Sequence, residues 1–165
     1  MPRPSLRLTG VFVLVLAVGL GLAWAFGSSD SEVAALGEPA PDFVAEVIDG
    51  GSFRLSDHLG EPVVINFWAS WCAPCRTEIP DISKYAEANP DVTVVGIAVE
   101  DAEEPAREFA TDVGASYPLA LGTDAIEDAY PRIGLPVTYV IDPDGTVAEV
   151  FNGIITGETL TEALG

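Results

Sequence analysis

Basic residues are scarce in this 165-residue chain: seven Lys and Arg stand against 26 Asp and Glu, for a formal net charge of −19. All 26 acids lie at or after Asp30, where only Arg54, Arg76, Lys84, Arg107 and Arg132 oppose them, so that part carries −21. A field of that sign disfavours nucleic acid and anionic membrane surfaces as partners. It fits either a plain solvated surface or adaptation to high salt, which screens the repulsion. His58 is the one histidine, Met1 the one methionine, and Cys72 and Cys75 the two cysteines. A zinc site takes about four ligands, and three such side chains fall short. Copper(I) could use two thiolates, but the chain's methionine sits at its first position. There is no internal repeat and no low-complexity tract, which leaves an ordinary globular chain rather than a solenoid or a disordered one.

Charge is missing altogether from Leu8 to Phe26, a run of 19 residues preceded by Arg3 and Arg7 and followed by Asp30 and Glu32. As a helix it would span ~28 Å, close to the ~30 Å hydrocarbon core of a bilayer. The flanking charges put residues 1–7 in the cytoplasm and everything after 26 outside. The run is read as an uncleaved single-pass anchor in the cell membrane. Ala23-Trp24-Ala25 offers the rival reading, a cleaved signal. Both readings export the rest. No cysteine follows the run, which excludes a lipid-modified N-terminal cysteine. Residues 27–36 are short and polar and read as a tether. Residues 37–165 are long enough for one core.

Periodicity and turn residues set the elements of that domain. Phe43–Ile48 and Ser52–Leu55 flank Asp49-Gly50-Gly51, a hairpin signal. Val63–Trp68 and Val92–Val99 are continuous apolar runs, as expected of strands buried on both faces. Helical patterns cover Ala73–Ala88, Glu103–Val113, Asp124–Tyr130 and Thr156–Leu164. A short strand is expected at Pro118–Leu121. A second hairpin pairs Val137–Ile141 with Thr146–Phe151 across Asp142-Pro143-Asp144-Gly145. Strands alternating with helices predict an α/β fold with a central mixed sheet flanked by helices.

Both cysteines fall in Trp71-Cys72-Ala73-Pro74-Cys75, where a buried strand gives way to a helix. The unpaired N–H groups of a helix N-terminus favour an anion, so the Cys72 thiol should ionise readily. Pro74 suits a first helical turn, because the N–H it lacks would be unpaired there. Cys75, one turn in, should be more buried. Such a pair can exchange disulfides: the Cys72 thiolate attacks a substrate disulfide, and Cys75 then attacks Cys72 and releases the reduced substrate. A purely structural disulfide is the bland alternative, and so short a loop would constrain the unfolded chain little.

The stretch "NFWASWCAPCRTEIP" closely resembles the active site of thioredoxin-fold proteins, and more narrowly the membrane-anchored TlpA/ResA/CcmG group of the AhpC/TSA–redoxin superfamily. "GEPAPDF" and "LSDHLGEPVVINFWASWC" resemble that group's opening segment and first core strand. The resemblance covers roughly Leu36 to Gly165. It implies a thioredoxin-like fold with an N-terminal β-hairpin extension, and an enzyme, a thiol–disulfide oxidoreductase, with no cofactor and no metal. Pro80 matches the group's helix-kinking proline. "GLPVTYVIDPDG" resembles the segment with the group's cis-proline, which implies a cis Pro136 beside the cysteines and a Leu135 backbone that pairs with substrate. Glu78 matches an acid that opposes thiolate formation and relays protons; the bland reading is an acid favoured in the helix's first turn. Asn66 stands where cytoplasmic thioredoxins often carry an aspartate. Trp71 reads as rim packing or as substrate surface, Trp68 as packing, and His58 as a loop residue. The group's usual work implies protein thiol or disulfide substrates, among them the cysteines of apocytochrome c. It also implies an upstream membrane thiol reductant and a monomer. Two alternatives stay open: a thiol peroxidase related to the peroxiredoxins, in which a threonine would stand where Cys72 is, and a non-catalytic copper-delivery module.

Overall fold

A computed structural model describes residues 33–165. The expected membrane-spanning run, residues 8–26, lies outside the described residues. No helix among those described is long and apolar enough to cross a membrane.

Seven strands form one sheet. They are β1 (Val44–Val47), β2 (Ser52–Arg54), β3 (Val63–Trp68), β4 (Thr93–Ala98), β5 (Leu119–Leu121), β6 (Val137–Ile141) and β7 (Val147–Asn152). Their spatial order is β2-β1-β5-β4-β3-β6-β7. β3, β4 and β5 run parallel, and every other pairing is antiparallel. The first hairpin therefore extends the sheet at one edge through β1 and β5, and the second closes the other edge. Four helices cover the sheet: α1 (Ala73–Ala88), α2 (Glu103–Val113), α3 (Asp124–Ala129) and α4 (Gly157–Leu164).

The central strands have no polar face because both faces are covered. In β3 all six residues are buried. Val63, Ile65 and Phe67 join one cluster with Phe43, Phe53, Tyr130 and Tyr139. Val64 and Trp68 join the other, with Ile79, Ile82, Phe109 and Leu160 from the helices. Burying each such side chain is worth roughly 1.5–3 kcal/mol, so these two layers hold the sheet to its helices. Gly96 in β4 leaves room for the Trp68 ring, which stacks on Phe109 with centroids 4.7 Å apart.

The helix ends follow their sequence signals. Thr123 caps α3 by accepting the Ile126 N–H, Thr156 and Thr159 form a reciprocal cap at α4, and Gly114 ends α2 in the left-handed region at φ 60°. The expected elements are present within a residue or two at each end. One was not expected: a 3₁₀ turn at Leu55–His58. The expected tether also needs correcting at its end. Ala34 is buried in the core, and its N–H donates to the Ala129 carbonyl, so the packed chain starts ahead of residue 37.

Candidate active site

The chain leaves β3 at Trp68 and enters α1 at Ala73, and Cys72 is the N-cap between them. The Cys72 N–H donates to the Ala69 carbonyl at 3.1 Å, which closes the loop. The Cys75 N–H donates to Cys72 Sγ at 3.2 Å. Pro74 occupies the first turn of α1, as its missing N–H allows. Cys72 and Cys75 are joined by a disulfide, with Cα atoms 5.3 Å apart. Both are buried, Cys75 completely and Cys72 at 3 % exposure. Sγ of Cys72 thus lies among the free N–H groups of α1, where negative charge is favoured.

The segment before β6 reaches the same end of the sheet. Phe67 and Val137 are register partners on neighbouring antiparallel strands, so Pro136 and Trp68 stand side by side at the strand ends. The Leu135–Pro136 bond is cis. Leu135 packs against the cluster that contains both cysteines. Pro136 is buried and Leu135 half-buried. A shallow cavity of about 200 Å³ runs beside them, lined by Ile133, Leu135, Pro136, Asn152 and Gly153. Trp71, next to Cys72, is 60 % exposed and Ile133, on the lip of that cavity, 92 % exposed, so the rim carries bare apolar side chains at both places.

Glu78 lies in the second turn of α1 and is 1 % exposed. The reading of an acid favoured at the helix end therefore does not hold. Its Oε1 accepts from Asn66 Nδ2 at 2.7 Å, and its Oε2 accepts from the Ile155 N–H at 3.0 Å. Asn66 also donates to Thr138 Oγ1 at 3.0 Å, and its own Oδ1 has no partner among the described residues. Burial pushes the Glu78 carboxyl up to about 7, and the bonds from Ile155 and Asn66 offset only part of that rise. A carboxyl poised near neutrality one turn from Cys75 can hold or release a proton there.

Trp68 is fully buried and takes no part in the rim. His58 stacks on Phe53 and pairs with Glu61 at 2.7 Å, at the far end of β3 from the cysteines. Among the described residues no group of three or more metal-ligating side chains converges. Asn66 and its acceptor Thr138 stand out in the sequence as polar residues in buried runs, Asn66 as the single one in "VVINFW" and Thr138 in "VTYVI".

Comparison with known proteins agrees with this geometry. The model of the AhpC/TSA family matches residues 36–150. The thiol-disulfide oxidoreductase ResA of Geobacillus kaustophilus is 31 % identical over 165 residues, covering 98 % of this chain and 94 % of that one. ResA of Bacillus subtilis is 33 % identical over 152 residues, covering 90 % and 84 %. The solved structure of a thiol:disulfide interchange protein of the thioredoxin family from Chlorobium tepidum superposes with a TM-score of 0.71 at 29 % identity, covering 80 % of this chain and 97 % of that one.

Proposed function

The chain belongs to the AhpC/TSA family, and from that premise we propose that this thiol–disulfide oxidoreductase reduces protein disulfides outside the cytoplasm, anchored by residues 8–26. The observation that carries the reading is the Cys72–Cys75 disulfide at the N-terminus of α1, with buried Glu78 one turn beyond it.

In the reduced enzyme the Cys72 thiolate attacks one sulfur of a substrate disulfide. The other substrate sulfur leaves as a thiolate and takes up a proton. Cys75 then gives up its proton and attacks Cys72 Sγ, which breaks the mixed disulfide and frees the second substrate thiolate. Two electrons pass to the substrate, and the enzyme is left as the Cys72–Cys75 disulfide. A membrane thiol reductant restores the dithiol. Glu78 accepts the Cys75 proton and returns it when the enzyme is reduced. Trp71 and Leu135 flank the substrate chain, and cis Pro136 holds the Leu135 backbone in position to pair with it. The cysteines of apocytochrome c are the proposed substrate.

Direction follows from charge. The end of α1 favours thiolate at Cys72, whereas ionised Glu78 and the surrounding acids oppose it. Opposing the thiolate destabilises the reduced form and makes it a stronger reductant. The test is the reduction potential of the pair. A value near the roughly −270 mV of thioredoxin supports a reductant, and one near the roughly −120 mV of a strong oxidant refutes it.

A further inference from the structure

We propose that Arg132 is a positioning residue that fixes the spacing between the Trp71 wall and the Pro136 wall of the substrate cleft by clamping Glu100 and Glu127. The inference rests on the reading of a polypeptide disulfide as substrate.

The exposed Trp71 ring has one polar anchor: its Nε1 donates to the Glu100 carbonyl at 3.0 Å. Glu100 is the one residue other than glycine with positive φ (52°) among the described residues. A side chain in the left-handed region costs free energy, and it persists only where the surroundings hold it. The Glu100 N–H donates to Glu127 Oε1 at 3.0 Å. The Glu100 carboxylate accepts from Arg132 Nη2 at 3.3 Å, and Glu127 Oε2 accepts from the same nitrogen at 3.0 Å. Next to Glu100, the Asp101 carboxylate takes both the N–H and the hydroxyl of Ser70, the residue before Trp71.

Arg132 holds the other wall as well. Its Nη1 donates to the carbonyls of Tyr130 and Glu127 at 3.0 and 3.2 Å, and its own backbone leads through Ile133 and Gly134 to Leu135 and Pro136. The side chain is 8 % exposed, and its guanidinium lies 5.6 Å from the centre of the Phe67 ring. In a region with five basic residues against 26 acids, one of the five is buried between the two loops that flank the disulfide. A planar fork with several donors at fixed spacing ties both loops with less loss of side-chain freedom than a flexible ammonium.

A wall-spacing role acts on how a polypeptide is gripped and leaves the sulfur chemistry alone. The full chain in nonionic detergent is assayed with insulin, driven by dithiothreitol, and, after reduction and removal of excess thiol, in single turnover with the small disulfide 5,5′-dithiobis(2-nitrobenzoate). Arg132→Met should raise KM for insulin at least fivefold, with kcat and the small-disulfide rate within twofold of the parent. Arg132→Lys should fall between them. If Arg132→Met fails to fold, Glu127→Gln weakens the same clamp and should give the same split at lower amplitude. Equal losses on both substrates, or an unchanged insulin KM with only a lower melting temperature, would overturn the proposal. A parent chain that reduces the small disulfide but not insulin would overturn the polypeptide reading itself, before any variant is compared.

Discussion

Replacing Glu78 with glutamine should remove a pH-dependent cost to folding. The carboxyl is pushed from its ordinary 4.5 to about 7 by burial. The folded chain therefore keeps its proton to higher pH than the unfolded chain does. Between about 4.5 and 7 the folded state binds more protons, so stability falls as pH rises, and the full cost is present above 7. At ~1.36 kcal/mol per pKa unit the total is roughly 3 kcal/mol, of which about 2.5 develops between pH 5 and pH 8. For a domain of this size that is on the order of 10 °C in melting temperature. The other acids also titrate, so the quantity to follow is the difference between Glu78→Gln and the parent. Thermal melts of the oxidised proteins, in which neither cysteine titrates, supply it. The new amide meets two donors, Asn66 Nδ2 and the Ile155 N–H, and can accept only one of them well. Asn66 can turn its unpartnered Oδ1 towards it, and any residual penalty does not change with pH. The variant should therefore gain on the parent by roughly 2–3 kcal/mol from pH 5 to pH 8. A difference constant across that range would refute the raised pKa. In the reduced proteins the same substitution should lower the apparent pKa of the Cys72 thiolate, read from its ultraviolet absorbance.

Three further outcomes are expected. Glu104, Glu108 and Asp112 form an exposed like-charge row on α2, each four residues from the next, so glutamine or asparagine at all three should raise the melting temperature in dilute buffer and shrink the gain from added KCl; a parent melt flat from ~0.01 M to ~1 M salt would refute the repulsion. Gly96→Ala should cost about 1–3 kcal/mol, measured by urea unfolding, because the new methyl would meet Leu119 and stand 3.0 Å from Trp68 Nε1; an unchanged midpoint would show that the Trp68 ring can yield. The full chain should sediment with membranes and resist carbonate extraction, with its cysteines outside, whereas a soluble exported chain beginning at Phe26 would establish cleavage instead.

Much of the sheet was legible because both of its signals are local. Continuous apolar runs mark β3 and β4, and Asp-Gly turns mark the two hairpins. The cysteine pair was legible for the same reason, since strand, motif and helix are consecutive. That Glu78 joins a network of Asn66, Thr138 and Ile155 was not. Asn66, Thr138 and Ile155 are 12, 60 and 77 residues away along the chain, and only the pairing of β3 with β6 and the packing of the segment after β7 bring them together. Spacing from Cys75 marks Glu78 as an acid near the cysteines, whereas its burial, which rules out the alternative of an exposed acid favoured by the helix end, is a tertiary property. The Arg132 clamp was hidden likewise: Ser70 follows β3, Glu100 follows β4, and Glu127 and Arg132 belong to α3 and the segment after it, and each reads singly as surface charge or polarity. The edge at Ala34 was missed because a short, small, polar stretch looks the same whether it tethers or packs.

The central claim is that Cys72 attacks substrate and Cys75 releases it, and mixed-disulfide trapping tests this directly. With Cys75→Ser in the full chain, membranes treated with an alkylating quench should yield covalent adducts between Cys72 and partner proteins, cleavable by dithiothreitol and assignable by mass spectrometry. Cys72→Ser should yield none. Adducts through Cys75 in the Cys72→Ser variant, with none from Cys75→Ser, would contradict the account.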